Sequence, residues 1–350
     1  LQQGILYQHL LEDSGDTYVL WQLLKFDSKT LLEHYINAMQ DAVDRHDALR
    51  TSVFHEGLPQ PLQVVWHRAK VMPEWVEFDA NATDVAQALY DFCEPSNTRF
   101  DLTQAPLQRL VCAKDGKNWL LLHVFHHIAL DHLSLESIER EIELQLLDAS
   151  STLPKPISFT QYASLVEEED AAKEYFQNKM ADYECQQYPF GIAGHLNIKD
   201  KVVDLYESLP SALSETLYQQ AQTLGISCAA IFHLAWAKVL AGFSCQTDTV
   251  FATVLSGRMG AAPGLDSAIG LFINTLPLRV NFSGLTVQQS LQETHTSLIE
   301  LMQFERSSLA QAQQSLDGTP QLSSLFNYRH SQSDYVLMGD PLATPHKSNV

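Results

Sequence analysis

From Trp119 to Phe125 the chain reads Trp-Leu-Leu-Leu-His-Val-Phe, a nearly continuous apolar run of strand length. An unbroken run of this kind is the pattern of a strand buried on both faces rather than one. Such a strand needs helices around it, and the flanking sequence supplies them. Ser28 is placed to cap a helix whose apolar positions Leu32, Tyr35, Ile36, Met39 and Val43 keep helical spacing. Beyond the apolar run, Ser134 opens a second predicted helix with Leu135, Ile138, Ile142 and Leu146 on one face. Between these lie a short extended run ending at Phe54 and a predicted strand from Leu62 to Trp66.

The pattern breaks at Leu153-Pro154-Lys155-Pro156, which places a boundary between residues 1–153 and residues 154–350. The second part opens on a polar helical stretch from Glu167 to Ala181. Helices follow over 212–224 and 229–241, the first closed by Gly225. A strand from Thr249 to Leu255 runs into Ser256-Gly257-Arg258, and a further apolar segment covers Ile269 to Val280. Strands interleaved with helices in two halves of similar size define an α/β protein of two subdomains.

Composition narrows the function. With 45% hydrophobic and 18% charged residues the chain is globular, not disordered. Lys and Arg number 22 against 42 Asp and Glu, a formal net charge of −20. That surface repels phosphate backbones and anionic headgroups, so neither nucleic acid nor membrane is an expected partner. Cys93, Cys112, Cys185, Cys228 and Cys245 form no C-x-x-C pair, the usage of reduced cytoplasmic cysteines. No apolar run is long enough to span a bilayer. The chain opens on Leu1-Gln2-Gln3 rather than Met, which reads as a piece of something longer.

The densest chemistry is His123-Val124-Phe125-His126-His127-Ile128-Ala129-Leu130-Asp131-His132, at the exit of the buried strand. Alternation puts His123 and His127 on one side and His126 on the other, so the adjacent histidines have different tasks. Three readings stand for the cluster: ordinary core and surface histidines, a metal site, or acid–base chemistry by one imidazole with the aspartate holding the turn. Against a metal, adjacent histidines on opposite faces converge poorly on one ion, and no helical His-x-x-x-His pair is present.

The stretch from Phe125 to His132 resembles the HHxxxDG motif of the condensation domains of non-ribosomal peptide synthetases, in the chloramphenicol-acetyltransferase-like superfamily. Other segments match family motifs in the same order. Arg45 to Phe54 (RHDALRTSVF) is similar to RHExLRTxF, and Phe159-Thr160-Gln161-Tyr162-Ala163 to a Y-x-D-Y-A segment. Ser256-Gly257-Arg258 stands where the family has its S/A-G-R loop. Ile269 to Arg279 (IGLFINTLPLR) resembles IGxFVNTxxxR, and Phe326-Asn327-Tyr328 fits a late segment. Two departures stand out. His132 replaces the glycine after the aspartate, and family members continue beyond the position of Val350, so the C-terminal subdomain is expected to be incomplete. Gln8 to Asp16 resembles the H-H-[I/L]-x-x-x-x-G-D signature of dual epimerisation/condensation domains. His9, Gly15 and Asp16 match it, and Gln8 stands for its first histidine. The alternative is that this stretch is a surface helix end and turn.

The resemblance implies two chloramphenicol-acetyltransferase-like subdomains in a V-shaped arrangement, with the active site in the channel between them. It implies an acyltransferase that forms an amide between a donor acyl or peptidyl thioester and an acceptor aminoacyl thioester. The partners it implies are donor and acceptor peptidyl carrier proteins and a neighbouring adenylation domain. Phosphopantetheine arms arrive on the carriers, and no metal, nucleotide or redox cofactor is implied. By the same resemblance His127 is the catalytic residue facing the substrates, as base or as hydrogen-bond donor to the intermediate, and His126 is structural. Asp131 is then ion-paired with Arg258 or Arg50, with Arg258 favoured, and Asn274 offers a polar contact near the channel. Against this stand a freestanding acyltransferase using coenzyme A, an epimerising domain, and a carrier-binding scaffold without catalysis.

Overall fold

The computed structural model describes residues 1–12, 15–78, 84–94, 98–147, 152–163, 169–183, 205–258, 267–314, 322, 324–329 and 344–348. Asp13, Ser14, Cys185 and the Gly- and Pro-containing loop after Arg258 lie outside these residues. In chain order the elements are α1 (Gln2–Leu11), β1 (Val19–Phe26), α2 (Lys29–Arg45), a 3₁₀ turn (Ala48–Arg50), β2 (Thr51–Phe54), β3 (Leu62–Val65), β4 (Pro73–Val76), α3 (Val85–Phe92), β5 (Gln108–Asp115), β6 (Asn118–His126), α4 (His132–Leu146) and α5 (Phe159–Ala163). There follow α6 (Glu169–Met180), α7 (Ser211–Leu224), α8 (Cys228–Ser244), β7 (Asp248–Leu255), β8 (Asn274–Asn281), α9 (Val287–Met302), α10 (Leu309–Gln314), β9 (Leu325–Phe326) and β10 (Thr344–Ser348). Contacts group the chain into two compact units: Leu1–Val166 with Ala261–Phe272 and Ser331–Val350, and Glu167–Gly260 with Ile273–His330.

In the first unit β6 sits in the middle of a five-stranded sheet of order β10-β1-β6-β5-β4, antiparallel to β1 and β5. Its residues Leu121, Leu122, Val124 and Phe125 are fully buried, because helices cover both faces. On one face α2 packs through Tyr35 against Phe26, with ring centroids 5.3 Å apart. On the other, Tyr90 of α3 lies 4.5 Å from Trp21. Each large apolar side chain so enclosed contributes roughly 1.5–3 kcal/mol. Ser28 caps α2 by accepting from the Leu31 N–H at 3.2 Å, and every apolar position expected from the spacing is buried.

The RHDALRT segment ties this layer together. Glu141 of α4 takes Arg45 Nε at 3.2 Å and His46 Nε2 at 3.0 Å. Asp47 accepts from the Ala48 N–H at 2.9 Å, from the Phe159 N–H at 3.0 Å, and from the Ser158 hydroxyl. Burial opposes the Asp47 charge, but these donors outweigh it and hold the carboxyl below the ordinary carboxylate range.

The second unit has a three-stranded sheet of order β8-β7-β9, with β7 antiparallel to β8 and parallel to β9. Phe251, Leu276 and Leu278 meet Leu234 of α8 and Leu298 of α9 in its core. Gly225 closes α7 in the left-handed conformation that glycine adopts without a Cβ penalty. The segment read as apolar over 269–280 becomes regular strand only from Asn274. Residues 269–272 instead belong to the first unit. Among the described residues no single helix is long and apolar enough to cross a membrane.

Candidate active site

β6 and the residue that follows it bring three histidines into three environments. His123, in the middle of the strand, is fully buried with Nε2 2.8 Å from Gln108 Oε1. Burial alone pushes its pKa down to about 4, so it is neutral and enclosed. His126 is the last residue of the β1–β6 ladder, opposite Val19. Its ring is buried, with Nε2 2.8 Å from Asp16 Oδ2, and its Nδ1 accepts from the Ile128 N–H at 3.0 Å. A ring nitrogen that accepts carries no proton, so the hydrogen is on Nε2 and points at the carboxylate.

His127 extends the ladder by one step, donating its N–H to the Tyr18 carbonyl at 2.8 Å, and its side chain is partly exposed. Nδ1 lies 2.8 Å from the Leu130 carbonyl, which can only accept, so Nδ1 carries the proton. Nε2 is thereby left with its lone pair, and among the described residues no hydrogen-bond partner takes it. Burial lowers the His127 pKa, an effect only partly opposed by the Leu130 carbonyl, which favours the neutral, basic ring. A neutral imidazole with a fixed tautomer and an open nitrogen is equipped to take a proton.

The turn after the pair is held from below. Asp131, not Ser134, is the cap of α4: its Oδ1 accepts from the Ser134 N–H at 2.9 Å. Both residue types cap helices well, and the backbone decides for the earlier one. Ser134 instead donates its hydroxyl to the Gly270 carbonyl at 2.7 Å and accepts from the Gly270 N–H at 3.0 Å. Asp131 Oδ2 accepts from the Phe272 N–H at 3.0 Å, and the Asp131 N–H reaches the Gly270 carbonyl at 3.2 Å. The Ile-Gly-Leu-Phe segment is thus fastened onto the start of α4. Beneath it lie Phe159 and Tyr162, with ring centroids 5.2 and 4.6 Å from Phe272. Gly270 has φ of +155°, and a Cβ there would fall 2.2 Å from Phe159 Cδ2.

The remaining sequence candidates divide. Arg50 donates Nε to the Val43 carbonyl at 3.1 Å and a second group to the Trp66 carbonyl, so it does not pair with Asp131. Its guanidinium instead ties the end of α2 to the residue after β3. His132 is the first residue of α4 and partly exposed. In the second unit, Arg258 is buried just past β7, and the preceding Gly257 N–H donates to Glu305 Oε2 at 3.0 Å. Asn274 donates Nδ2 to the carbonyls of Glu305 and Ser307 at 2.8 and 2.6 Å, and its Oδ1 accepts from the Thr275 N–H. Its amide therefore serves backbone.

Within the amino-terminal signature, the described polar residues that match it are enclosed, while Leu10 and Leu11 are exposed. His9 and Asp16 are buried, and His9 Nδ1 bonds the same Asp16 Oδ2 that takes His126. Burial disfavours the Asp16 charge, but hydrogen bonds from His126 and His9 outweigh it and hold the carboxyl well below the usual range. Gly15, at φ of 72°, makes the turn. Gln8 donates Nε2 to Glu12 Oε1 at 3.1 Å, and Glu12 Oε2 accepts from the Thr17 N–H at 3.0 Å. His9, Asp16 and His126 also form a group whose donor atoms lie within 4.8 Å, near enough to share an ion. The two ring nitrogens at hydrogen-bonding reach of one oxygen make it a hydrogen-bonded triad. Sequence reasoning missed the pairing of Asp16 with His126 and the hub at Asp47. Spacing along the chain carries no signal for either.

The family model described as Condensation domain matches residues 1–334. Malpinin synthetase of Mortierella alpina is 39% identical over 344 residues, which are 96% of this chain and 4% of that protein. Malpibaldin synthetase of the same organism is 36% identical over 343 residues, 96% of this chain and 6% of that one. The chain therefore spans a small part of each. Among solved structures, the condensation domain from Monacolin K polyketide synthase MokA superposes with a TM-score of 0.74 at 18% identity, over 99% of this chain and 84% of that one. The first condensation domain of the CDA synthetase gives 0.71 at 16% identity, over 93% and 78%. At these identities the structural matches establish the α/β fold.

Proposed function

The chain belongs to the condensation-domain family, and from that premise we propose that it joins a donor acyl or peptidyl group to the amine of an acceptor aminoacyl group, both held as thioesters on carrier proteins. The observation that carries the reading is the open Nε2 of His127, opposite an Nδ1–H fixed on the Leu130 carbonyl. The acceptor amine attacks the donor thioester carbon, forming the C–N bond of a tetrahedral intermediate. His127 Nε2 takes the amine proton, the C–S bond breaks, and the proton passes to the leaving sulfur. An α-amino group has a pKa of roughly 7.7–8.0, within reach of an imidazole near neutrality. Positioning of the two tethered reactants supplies much of the remaining rate.

In this reading His126 and Asp131 shape the turn, and Arg258, Asn274, Arg50 and His132 are supporting residues outside the chemistry. The donor and acceptor arms are phosphopantetheine, brought by carriers in a multidomain synthetase that includes an adenylation domain. The names of the relatives, synthetases many times longer than this chain, support that setting. A cytoplasmic location is part of the same proposal, in keeping with the free cysteines at 93, 112, 228 and 245.

The test supplies the protein with a donor-loaded and an acceptor-loaded carrier and follows the amide by mass spectrometry. Wild type forms product, and His127→Ala slows it by about 10²-fold, within the usual range for one acid–base group. An unchanged rate in His127→Ala sinks the assignment. No product from carriers but turnover of free acyl-coenzyme A would make the protein a freestanding acyltransferase. The epimerising alternative is weakened by Gln8, whose amide is not a base and is held by Glu12. Deuterium wash-in at the donor α-carbon, with donor-loaded carrier alone, would restore it.

A further inference from the structure

The groups that hold the His126–His127 pair come from two residues of one short segment near the amino terminus, Asp16 and Tyr18. Asp16 Oδ2 takes the proton of His126 Nε2 at 2.8 Å, with both side chains buried. Asp16 Oδ1 accepts from the Tyr18 N–H at 2.9 Å, and the Tyr18 carbonyl accepts the His127 N–H at 2.8 Å. One short segment therefore grips the ring of the first histidine and the backbone of the second. The grip continues inward. Because Asp16 keeps the His126 proton on Nε2, Nδ1 stays free to accept from the Ile128 N–H at 3.0 Å, which pins the backbone on the far side of His127. The segment itself is held twice: His9 Nδ1 bonds Asp16 Oδ2, and Arg99 reaches the carbonyls of His9 at 2.7 Å and Gly15 at 3.2 Å.

We propose that Asp16 is a positioning residue for amide formation at His127, acting through the tautomer of His126 and braced by His9 and Arg99. This rests on the function proposed above for His127. The physical argument is one of orientation. His127 is fastened by its own N–H before the ring and by the Ile128 N–H after it, and both fastenings trace to Asp16–Tyr18. Loosening them lets the ring stray, and a displacement of about 1 Å can cost 10²-fold in rate. A carboxylate is the side chain that suits this place, since its two oxygens accept from three donors and it donates nothing. Substitution by asparagine keeps the shape but turns an N–H₂ toward one of those donors.

The test compares wild type with Asp16→Asn, and His9→Leu with His9→Asn, in the two-carrier assay and by ¹⁵N spectroscopy of the histidine rings. Wild type should show His126 with its proton on Nε2. Asp16→Asn should lose that single tautomer and drop at least tenfold in kcat, with KM for each carrier within twofold. His9→Leu, which removes the donor at near-constant volume, should lower kcat. His9→Asn, which keeps a donor at the Nδ1 position, should restore it, so the inference stays testable even where Asp16→Asn fails to fold. A folded Asp16→Asn with wild-type kcat, a loss confined to KM, or equal rates for the two His9 variants would overturn it. If wild type makes no amide, the functional reading fails by itself. The spectra then decide this inference: an unchanged His126 tautomer and His127 signals in Asp16→Asn refute it.

Discussion

Replacing Glu139 by glutamine should make the protein more stable at high pH than at low pH relative to wild type. Glu139 lies on α4 under the sheet, 8% exposed, with the Tyr35 hydroxyl donating to Oε1 at 3.3 Å. Burial dominates over that bond and a bond from Gln22, and pushes the carboxyl up from 4.5 to about 7. A carboxyl whose folded pKa is raised binds its proton more tightly in the folded state. Its contribution is fully present below about pH 4.5 and is lost as pH rises through about 7. At roughly 1.4 kcal/mol per pH unit, the shift corresponds to a swing on the order of 3 kcal/mol between these limits. Glutamine keeps the shape and does not titrate. The stability difference between Glu139→Gln and wild type should therefore move in favour of the variant by about that amount between pH 4.5 and pH 8. For a unit of this size 3 kcal/mol is roughly 6–12 °C in Tm. Thermal unfolding followed at pH 4.5, 6, 7 and 8 reads it, with the transition of the first unit resolved from that of the second. A difference that stays flat across these pH values would show that Glu139 is not a buried proton-binding group.

Gly270→Ala should destabilise by about 3 kcal/mol, since alanine is strained at that φ and its Cβ meets the Phe159 ring. A Tm within 2 °C of wild type, by calorimetry, would contradict this. Asp47→Ala should cost about 2 kcal/mol, because the Ala48 and Phe159 N–H groups and the Ser158 hydroxyl lose their acceptor. Urea denaturation checks it, and Asp47→Asn should recover part of the loss. The acid limb of kcat/KM for amide formation should fall below the ordinary imidazole value of 6.5, because burial lowers the His127 pKa and keeps the ring basic further into acid. A limb at or above 6.5 would remove His127 as the group responsible.

What the chain's own pattern determined is local. The Ser28 cap, the helical spacing of α2, the buried apolar run of β6 and the glycine after α7 each concern residues within a turn or two, where periodicity and backbone freedom decide the outcome. His127 lies one residue past the end of β6, so strand alternation alone does not decide how its surroundings differ from those of His126. The choice of Asp131 over Ser134 as helix cap was also beyond the local pattern, since two good capping residues three apart leave the decision to the backbone. The braces of the site were decided by tertiary structure. Asp16 meets His126 across 110 residues, Asp47 meets Phe159 across 112, and Ser134 meets Gly270 across 136. Each is a carboxylate or hydroxyl whose composition and spacing look like those of any turn residue. Only folding brings the partner within 3 Å, and burial then makes the hydrogen bond obligatory, because an unpaired polar group costs more inside the protein than in water.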